Sequence, residues 1–199
     1  KRLNEGFTKT NETFADIAKR LILIDDAQKK LTDLSNNVLG LQAILSDKKS
    51  RGAFGEVQLN NLIQNLLAAK NFALQYQLSN GFRCDCMLFL PAPTGNVAID
   101  AKFPLENFQR YNDLDLAESD RKKYMQTFNQ DLKKHINDIA AKYIITGETA
   151  NGAIMFIPAE AIFAEIHSKL PDIVSLAQEK SVWITSPTTM MAILTTASA

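Results

Sequence analysis

The fold of this chain is decided by residues 83–103, which read RCDCMLFLPAPTGNVAIDAKF. Two apolar runs flank a segment rich in proline and glycine, and this pattern predicts two antiparallel strands. If Leu90 pairs with Val97, then Asp85 and Asp100 project from the same face as Lys102. The opposite face is apolar throughout, so we expect it to face the core. A slip of one residue would split the charged group between the two faces.

The charged residues of these strands suggest a metal site. Charged groups are rarely placed inside an apolar strand without a partner or a metal, because their desolvation is costly. Asp85 and Asp100, joined by Glu56 from a preceding helix, could supply oxygen ligands to Mg²⁺ or Mn²⁺. Lys102 could orient a water molecule and offset negative charge on a reacting phosphate. The alternative is a plain ion pair between Asp100 and Lys102 at the end of an edge strand.

The remaining periodicity predicts helices that alternate with short strands. Helices are expected at 53–69, 118–143, 159–169 and 172–179 and from Pro187 onward, and strands at 72–79, 83–90, 97–103, 153–157 and 181–185. The polar segment 47–52 is expected to break the chain before this domain. Such alternation is typical of an α/β domain, which we assign to residues 48–199 and expect to be truncated at its carboxyl end.

Residues 1–47 are predicted to form a coiled-coil stalk. Apolar residues recur every seven positions in two rows, one of which runs through Ile17, Ile24, Leu31, Val38 and Leu45. This spacing favours pairing with a second chain, so we expect a homo-oligomer. The alternative is a single helix that packs on its own domain.

Composition limits the classes of partner. The chain has 199 residues, of which 46% are hydrophobic, and its 22 basic residues balance its 22 acidic residues. A strongly basic surface is therefore absent, although a local groove could still bind nucleic acid. Arg51, Gln58 and Arg83 are the candidates for substrate binding, against the simpler interpretation that they are solvated surface groups.

Other residue types point to fewer functions. Cys84 and Cys86 are too close on one strand to form a disulfide, which favours reduced thiols and a cytoplasmic location. His135 and His167 have no sequence neighbour typical of a catalytic partner, so we expect structural or exposed roles. No glycine-rich phosphate loop occurs, so no nucleotide cofactor is expected.

Four ordered runs resemble one protein family. They are residues 51–59, 96–102, 156–161 and 186–189, which read RGAFGEVQL, NVAIDAK, FIPAEA and SPTT. Together they resemble the RmuC family of bacterial DNA recombination proteins. The upstream heptads also resemble that family's layout, in which a membrane-proximal helix often precedes the stalk. The resemblance therefore implies a possible membrane anchor upstream of this segment.

The resemblance also implies a fold and a site. It implies a restriction-endonuclease-like mixed sheet flanked by helices, as in the PD-(D/E)XK nuclease superfamily. It implies that Glu56, Asp85 and Asp100 are metal ligands and that Lys102 is their catalytic partner. Cys84 departs from the family, whose members commonly have proline before the strand aspartate. The expected function is Mg²⁺-dependent hydrolysis of DNA. The alternative is a non-catalytic coiled-coil scaffold for DNA processing, in which the acidic site is a relic.

Overall fold

A computed structural model describes residues 48–197 of the chain. The predicted coiled-coil stalk at 1–47 lies outside the described residues. The helices are α1 (Lys48–Leu66), α2 (Leu105–Asn112), α3 (Glu118–Tyr143), α4 (Glu160–Lys169), α5 (Pro171–Glu179) and α6 (Pro187–Ala197). The strands are β1 (Phe72–Gln77), β2 (Arg83–Leu88), β3 (Val97–Ala101), β4 (Ala153–Phe156) and β5 (Val182–Thr185).

The five strands form one mixed sheet in the order β1-β2-β3-β4-β5. The first three are antiparallel neighbours, whereas β4 runs parallel to β3 and β5 runs parallel to β4. Short turns suffice for the antiparallel pairs, while the parallel pairs need helical crossovers. Helix α3 lies in the crossover between β3 and β4, and α4 and α5 lie in the crossover between β4 and β5. The predicted α/β class and helix-flanked mixed sheet are confirmed.

Helices cover both faces of the sheet. On one face, Leu59 and Ile63 of α1 and Met190 of α6 pack with Ile99 and other strand residues. The other face packs against α3, α4 and α5, and its buried residues include Phe128, Leu132, Ile136, Ile162 and Ile173. Burial on both sides explains why the central strands contain near-continuous apolar runs.

The structure corrects the predicted pairing of β2 with β3. Leu88, not Leu90, lies opposite Val97, so the register differs by two residues from our expectation. One step beyond the observed ladder, Asp85 therefore comes opposite Asp100 instead of Lys102. A two-residue shift leaves Asp85 and Asp100 on one face, because side chains alternate with period two. Cys84, however, packs with Met87 and Ala98 and not with Cys86. The face that carries the charges is not solvent-facing along its length, since Met87 and Ala98 on it are buried.

Two helix predictions also need correction. The segment expected to be a polar break is helical from Lys48 onward, so α1 begins before Gly52. The short helix α2 was not predicted. It has only eight residues and no side-chain cap at its start, so the capping signal of a typical helix is missing, although Leu105, Phe108 and Tyr111 pack against the core.

The described helices contain no stretch with the length and apolar character needed to span a bilayer.

Candidate functional site

The predicted site residues meet where β3 ends. Asp100 lies in β3, and Lys102 follows directly after the last residue of that strand. Asp85 lies on the neighbouring strand β2, and Glu56 lies on α1. Helix α1 comes close to this point: a Cβ built on Gly55 would lie 3.6 Å from the Cβ of Ala101. This approach brings the next residue of the helix, Glu56, near the strand end.

Asp85 is held against the end of β3. Its Oδ2 accepts a hydrogen bond of 2.7 Å from the backbone N–H of Ala101. Burial, followed by the negative charge of Asp100, raises the pKa of Asp85 from its ordinary value of 3.8 to about 6. Glu56 also raises this pKa, while the Ala101 N–H and Lys102 lower it. The carboxylates are therefore crowded, and a cation between them would stabilise their ionised forms.

Asp100 is buried and has two partners. Lys102 Nζ contacts Asp100 Oδ2 in an ion pair. The hydroxyl of Tyr143, at the end of α3, donates to Asp100 Oδ1 over 2.9 Å. Burial and the charge of Asp100 raise the pKa of Tyr143, so this hydroxyl remains protonated and able to donate. These contacts fix the orientation of Asp100 at the strand end.

Gln75, in the middle of β1, links the other two carboxylates. Its amide nitrogen lies 3.1 Å from Glu56 Oε2 and 3.4 Å from Asp85 Oδ1. Its backbone has a φ of 50°, in the left-handed region. From the sequence, Gln75 was included only as one residue of the strand predicted at 72–79. The pairing of β1 with β2 would have identified Gln75 as a site residue. Leu74 pairs with Cys86 and Tyr76 pairs with Cys84, so Gln75 lies opposite Asp85.

A cavity of about 440 Å³ opens beside these residues. Glu56, Asp85 and Lys102 line one part of it. The remaining lining residues come from the start of α1, the segment after β3, and α3: Arg51, Gly52, Ala101, Phe103, Pro104, Leu105, Glu106, Asn107, Asp131, Lys134 and His135. Three basic and four acidic side chains line it, so the cavity has no strong charge of one sign.

The three predicted substrate-binding residues have different positions. Arg51 lines the cavity, is largely buried, and forms an ion pair of 2.8 Å with Glu106 Oε2. Gln58 and Arg83 are exposed and are not among the lining residues of that cavity. The structure therefore brings Arg51 to the predicted site and leaves the other two apart from its cavity.

His135 was expected to be structural or exposed, but it lines the cavity. Burial, followed by the charge of Lys102, lowers its pKa, so the imidazole is neutral at neutral pH. Sequence reasoning missed it because no residue next to it in the sequence is typical of a catalytic partner. The spacing from Asp131 to Lys134 and His135 places all three on adjacent positions of one helix side, which was the available signal.

The donor chemistry of the site suits a hard divalent cation. Carboxylate oxygens are the ligands that such cations prefer, and Glu56 and Asp85 flank a single amide group. Across residues 48–197, however, no three His, Cys, Asp or Glu side chains converge into a group that could hold a metal as they stand. Asp100 is turned toward Lys102 and Tyr143. The set of three carboxylates is thus close in space but is not arranged around one point.

The fold and the site define a class: an α/β protein with a helix-flanked mixed sheet and an acidic, lysine-containing cluster at a strand end. The model of the RmuC family matches residues 1–199, and the chain belongs to that family. No solved structure matches the chain.

Curated relatives carry the same family name. A DNA recombination protein RmuC homolog of Xylella fastidiosa is 29% identical over 94% of this chain and 43% of its own length. The homolog of Pasteurella multocida is 29% identical over 96% of this chain and 40% of its own. The DNA recombination protein RmuC of Escherichia coli is 28% identical over 78% of this chain and 34% of its own. The chain thus spans less than half the length of these relatives.

Proposed function

We propose that residues 48–199 form a divalent-metal-dependent nuclease domain that hydrolyses DNA phosphodiester bonds during recombination. The observation that carries this proposal is the convergence of Glu56, Asp85 and Lys102 on one cavity, with Asp100 in contact with Lys102. Curated relatives are named DNA recombination proteins, which supports DNA as the substrate class.

In this proposal, Glu56, Asp85 and Asp100 would hold Mg²⁺ or Mn²⁺. When bound, the cation supplies Lewis-acid activation of the phosphate. The ammonium group of Lys102 orients the attacking water and offsets negative charge that develops on the phosphate. Tyr143 keeps Asp100 oriented through its hydrogen bond. The contact between Lys102 and Asp100 would loosen as the carboxylate turns toward the cation.

Other lining residues of the cavity would hold the DNA backbone. Arg51 and Lys134 are basic side chains among them, and His135 adds a neutral ring nitrogen that can donate to a phosphate oxygen. Because the chain has no net charge, we expect these contacts to give weak binding that becomes stronger when the cation is present.

One observation favours the second candidate, a non-catalytic scaffold for DNA processing. Lys102 forms an ion pair with Asp100, which is also what a purely structural pair would do. The two candidates differ in their predictions: a scaffold binds DNA without cutting it, and its binding does not depend on Asp85.

A cleavage assay separates the two candidates. The chain is incubated with linear duplex, branched and single-stranded DNA, with and without Mg²⁺. We expect Mg²⁺-dependent cleavage that is lost in Lys102→Ala and Asp100→Ala. The matched control is Lys123→Ala, on the exposed start of α3, which should cut like the wild type. Circular dichroism establishes that each variant is folded. Failure of the wild type to cut any substrate, or equal cleavage by the variants, would refute the nuclease.

A further inference from the structure

Gln75 has an unusual backbone for its position. It lies in the middle of β1, where an extended conformation is expected, yet its φ is 50°. Among the described residues that are not glycine, only Ser181 also has a positive φ. For an L-residue this conformation costs roughly 1–2 kcal/mol. The fold therefore keeps an unfavourable backbone at the one residue of β1 that bonds to both Glu56 and Asp85.

The neighbours of Gln75 fix which end of its amide faces them. Ionised carboxylates only accept hydrogen bonds, so the amide presents its NH₂ group to Glu56 and Asp85. The oxygen and nitrogen of a glutamine amide have nearly the same size and exchange places when the group turns about its last bond. The position now occupied by Nε2 can thus be occupied by Oε1 when the partner is a cation instead of two anions.

The distances from the Gln75 amide to the two carboxylate oxygens are compatible with one metal ion. In an octahedral Mg²⁺ site with bonds of about 2.1 Å, neighbouring ligand oxygens lie about 3.0 Å apart. The amide nitrogen lies 3.1 Å from the Glu56 oxygen and 3.4 Å from the Asp85 oxygen. The amide group therefore lies at a distance from each carboxylate oxygen that is close to the spacing of neighbouring ligands in such an octahedron. Amide oxygens are accepted ligands of hard divalent cations.

We propose that Gln75 is a ligand of the cation through Oε1, completing a set with Glu56 and Asp85. This inference rests on the proposed function and deepens it. In the metal-free protein, the NH₂ group keeps the two carboxylates together. On metal binding, the amide turns and its oxygen joins them, which preserves the spacing. Asp100 would join these ligands only after its carboxylate separates from Lys102.

The test is a calorimetric titration of the metal-free, full 199-residue chain with Mn²⁺. Gln75→Gly removes the amide but accepts a positive φ without strain, so it separates the ligand role from the backbone role. We expect this variant to melt no lower than the wild type without metal, and to bind Mn²⁺ roughly ten-fold more weakly or worse. Gln75→Glu, which restores an oxygen at the same reach, should recover the binding.

The matched control is Gln77→Gly, an exposed glutamine at the end of the same strand. It should bind Mn²⁺ like the wild type. If the wild type binds Mn²⁺ and Gln75→Gly binds it equally well, Gln75 is not a ligand, although the proposed nuclease site stands. The same conclusion follows if Gln75→Gly changes the melting temperature but leaves the affinity for Mn²⁺ unchanged. If the wild type shows no Mn²⁺ binding, the metal site itself fails and this inference falls with it.

Discussion

Replacement of Asp85 by asparagine should stabilise the protein at neutral pH. Asparagine keeps the shape of the side chain, and its carbonyl oxygen can still accept the 2.7 Å hydrogen bond from Ala101 N–H. Its NH₂ group replaces the oxygen that accepts the long, exposed contact of 3.4 Å from Gln75 Nε2, which is a small loss. What it removes is a charge that the fold disfavours, because burial and the charge of Asp100 raise the pKa of Asp85 from 3.8 to about 6. The site would thus reduce stability in the absence of metal.

The size and pH dependence of this effect follow from proton linkage. A shift of about two pKa units corresponds to about 3 kcal/mol, which is an upper figure for a partly exposed group. The folded protein binds more protons at Asp85 than the unfolded chain between about pH 4 and pH 6. Wild-type stability therefore falls as the pH rises through that window. The gain in unfolding free energy from Asp85→Asn should be near zero below this pH window and should reach its full size above it.

Urea unfolding followed by tryptophan fluorescence measures this effect. The chain has one tryptophan, Trp183 in β5, so the signal reports on the described domain. Unfolding free energies would be compared at about pH 4 and about pH 7.5. The control is Asp115→Asn, an exposed aspartate between α2 and α3, which should change little. Equal or lower stability of Asp85→Asn at neutral pH, or a gain independent of pH, would refute the argument.

Three further predictions concern neighbouring residues. Tyr143→Phe leaves Asp100 without its hydroxyl donor, so it should lower the unfolding free energy by about 1 kcal/mol and reduce DNA cleavage. An unchanged unfolding free energy together with unchanged cleavage would contradict this role. Gly55→Ala should raise the unfolding free energy by up to about 1 kcal/mol in a urea titration, because alanine favours the helix and the added Cβ meets only ordinary contacts. A clear loss of stability would mean that α1 packs more closely on Ala101 than the 3.6 Å between the added Cβ and the Ala101 Cβ. Cys84 and Cys86 should react with a thiol reagent only after unfolding, because burial raises their pKa values to about 11 and about 12. Rapid labelling of the folded protein would disprove this prediction.

The sequence predicted most helices and strands because their apolar residues follow a clear period. Helix α3 was predicted at its observed bounds, and every strand was found near its predicted position. The register of β2 against β3 could not be predicted in the same way. The linker 91–96 allows two registers that differ by two residues, and both place the same side chains on the same faces. Hydrophobic pattern alone cannot choose between them.

The candidate site shows the same limit. Glu56, Asp85, Asp100 and Lys102 were predicted from residue type and spacing, and the structure brings them near one another. The residues that surround them come from elements far away in sequence. Tyr143 lies at the end of a long helix, and its relation to Asp100 depends on how α3 crosses the sheet. No local pattern encodes such a crossing.

The register that we failed to predict is itself an argument for function. It sets Asp85 near Asp100 on adjacent strands, and like charges in such positions destabilise a sheet. The predicted register would have set Asp85 against Lys102, which is favourable. A sequence selected only for stability would not keep the less favourable arrangement together with a left-handed backbone at Gln75. Both features contribute to one small region beside the cavity, where a divalent cation would turn the repulsion between carboxylates into attraction.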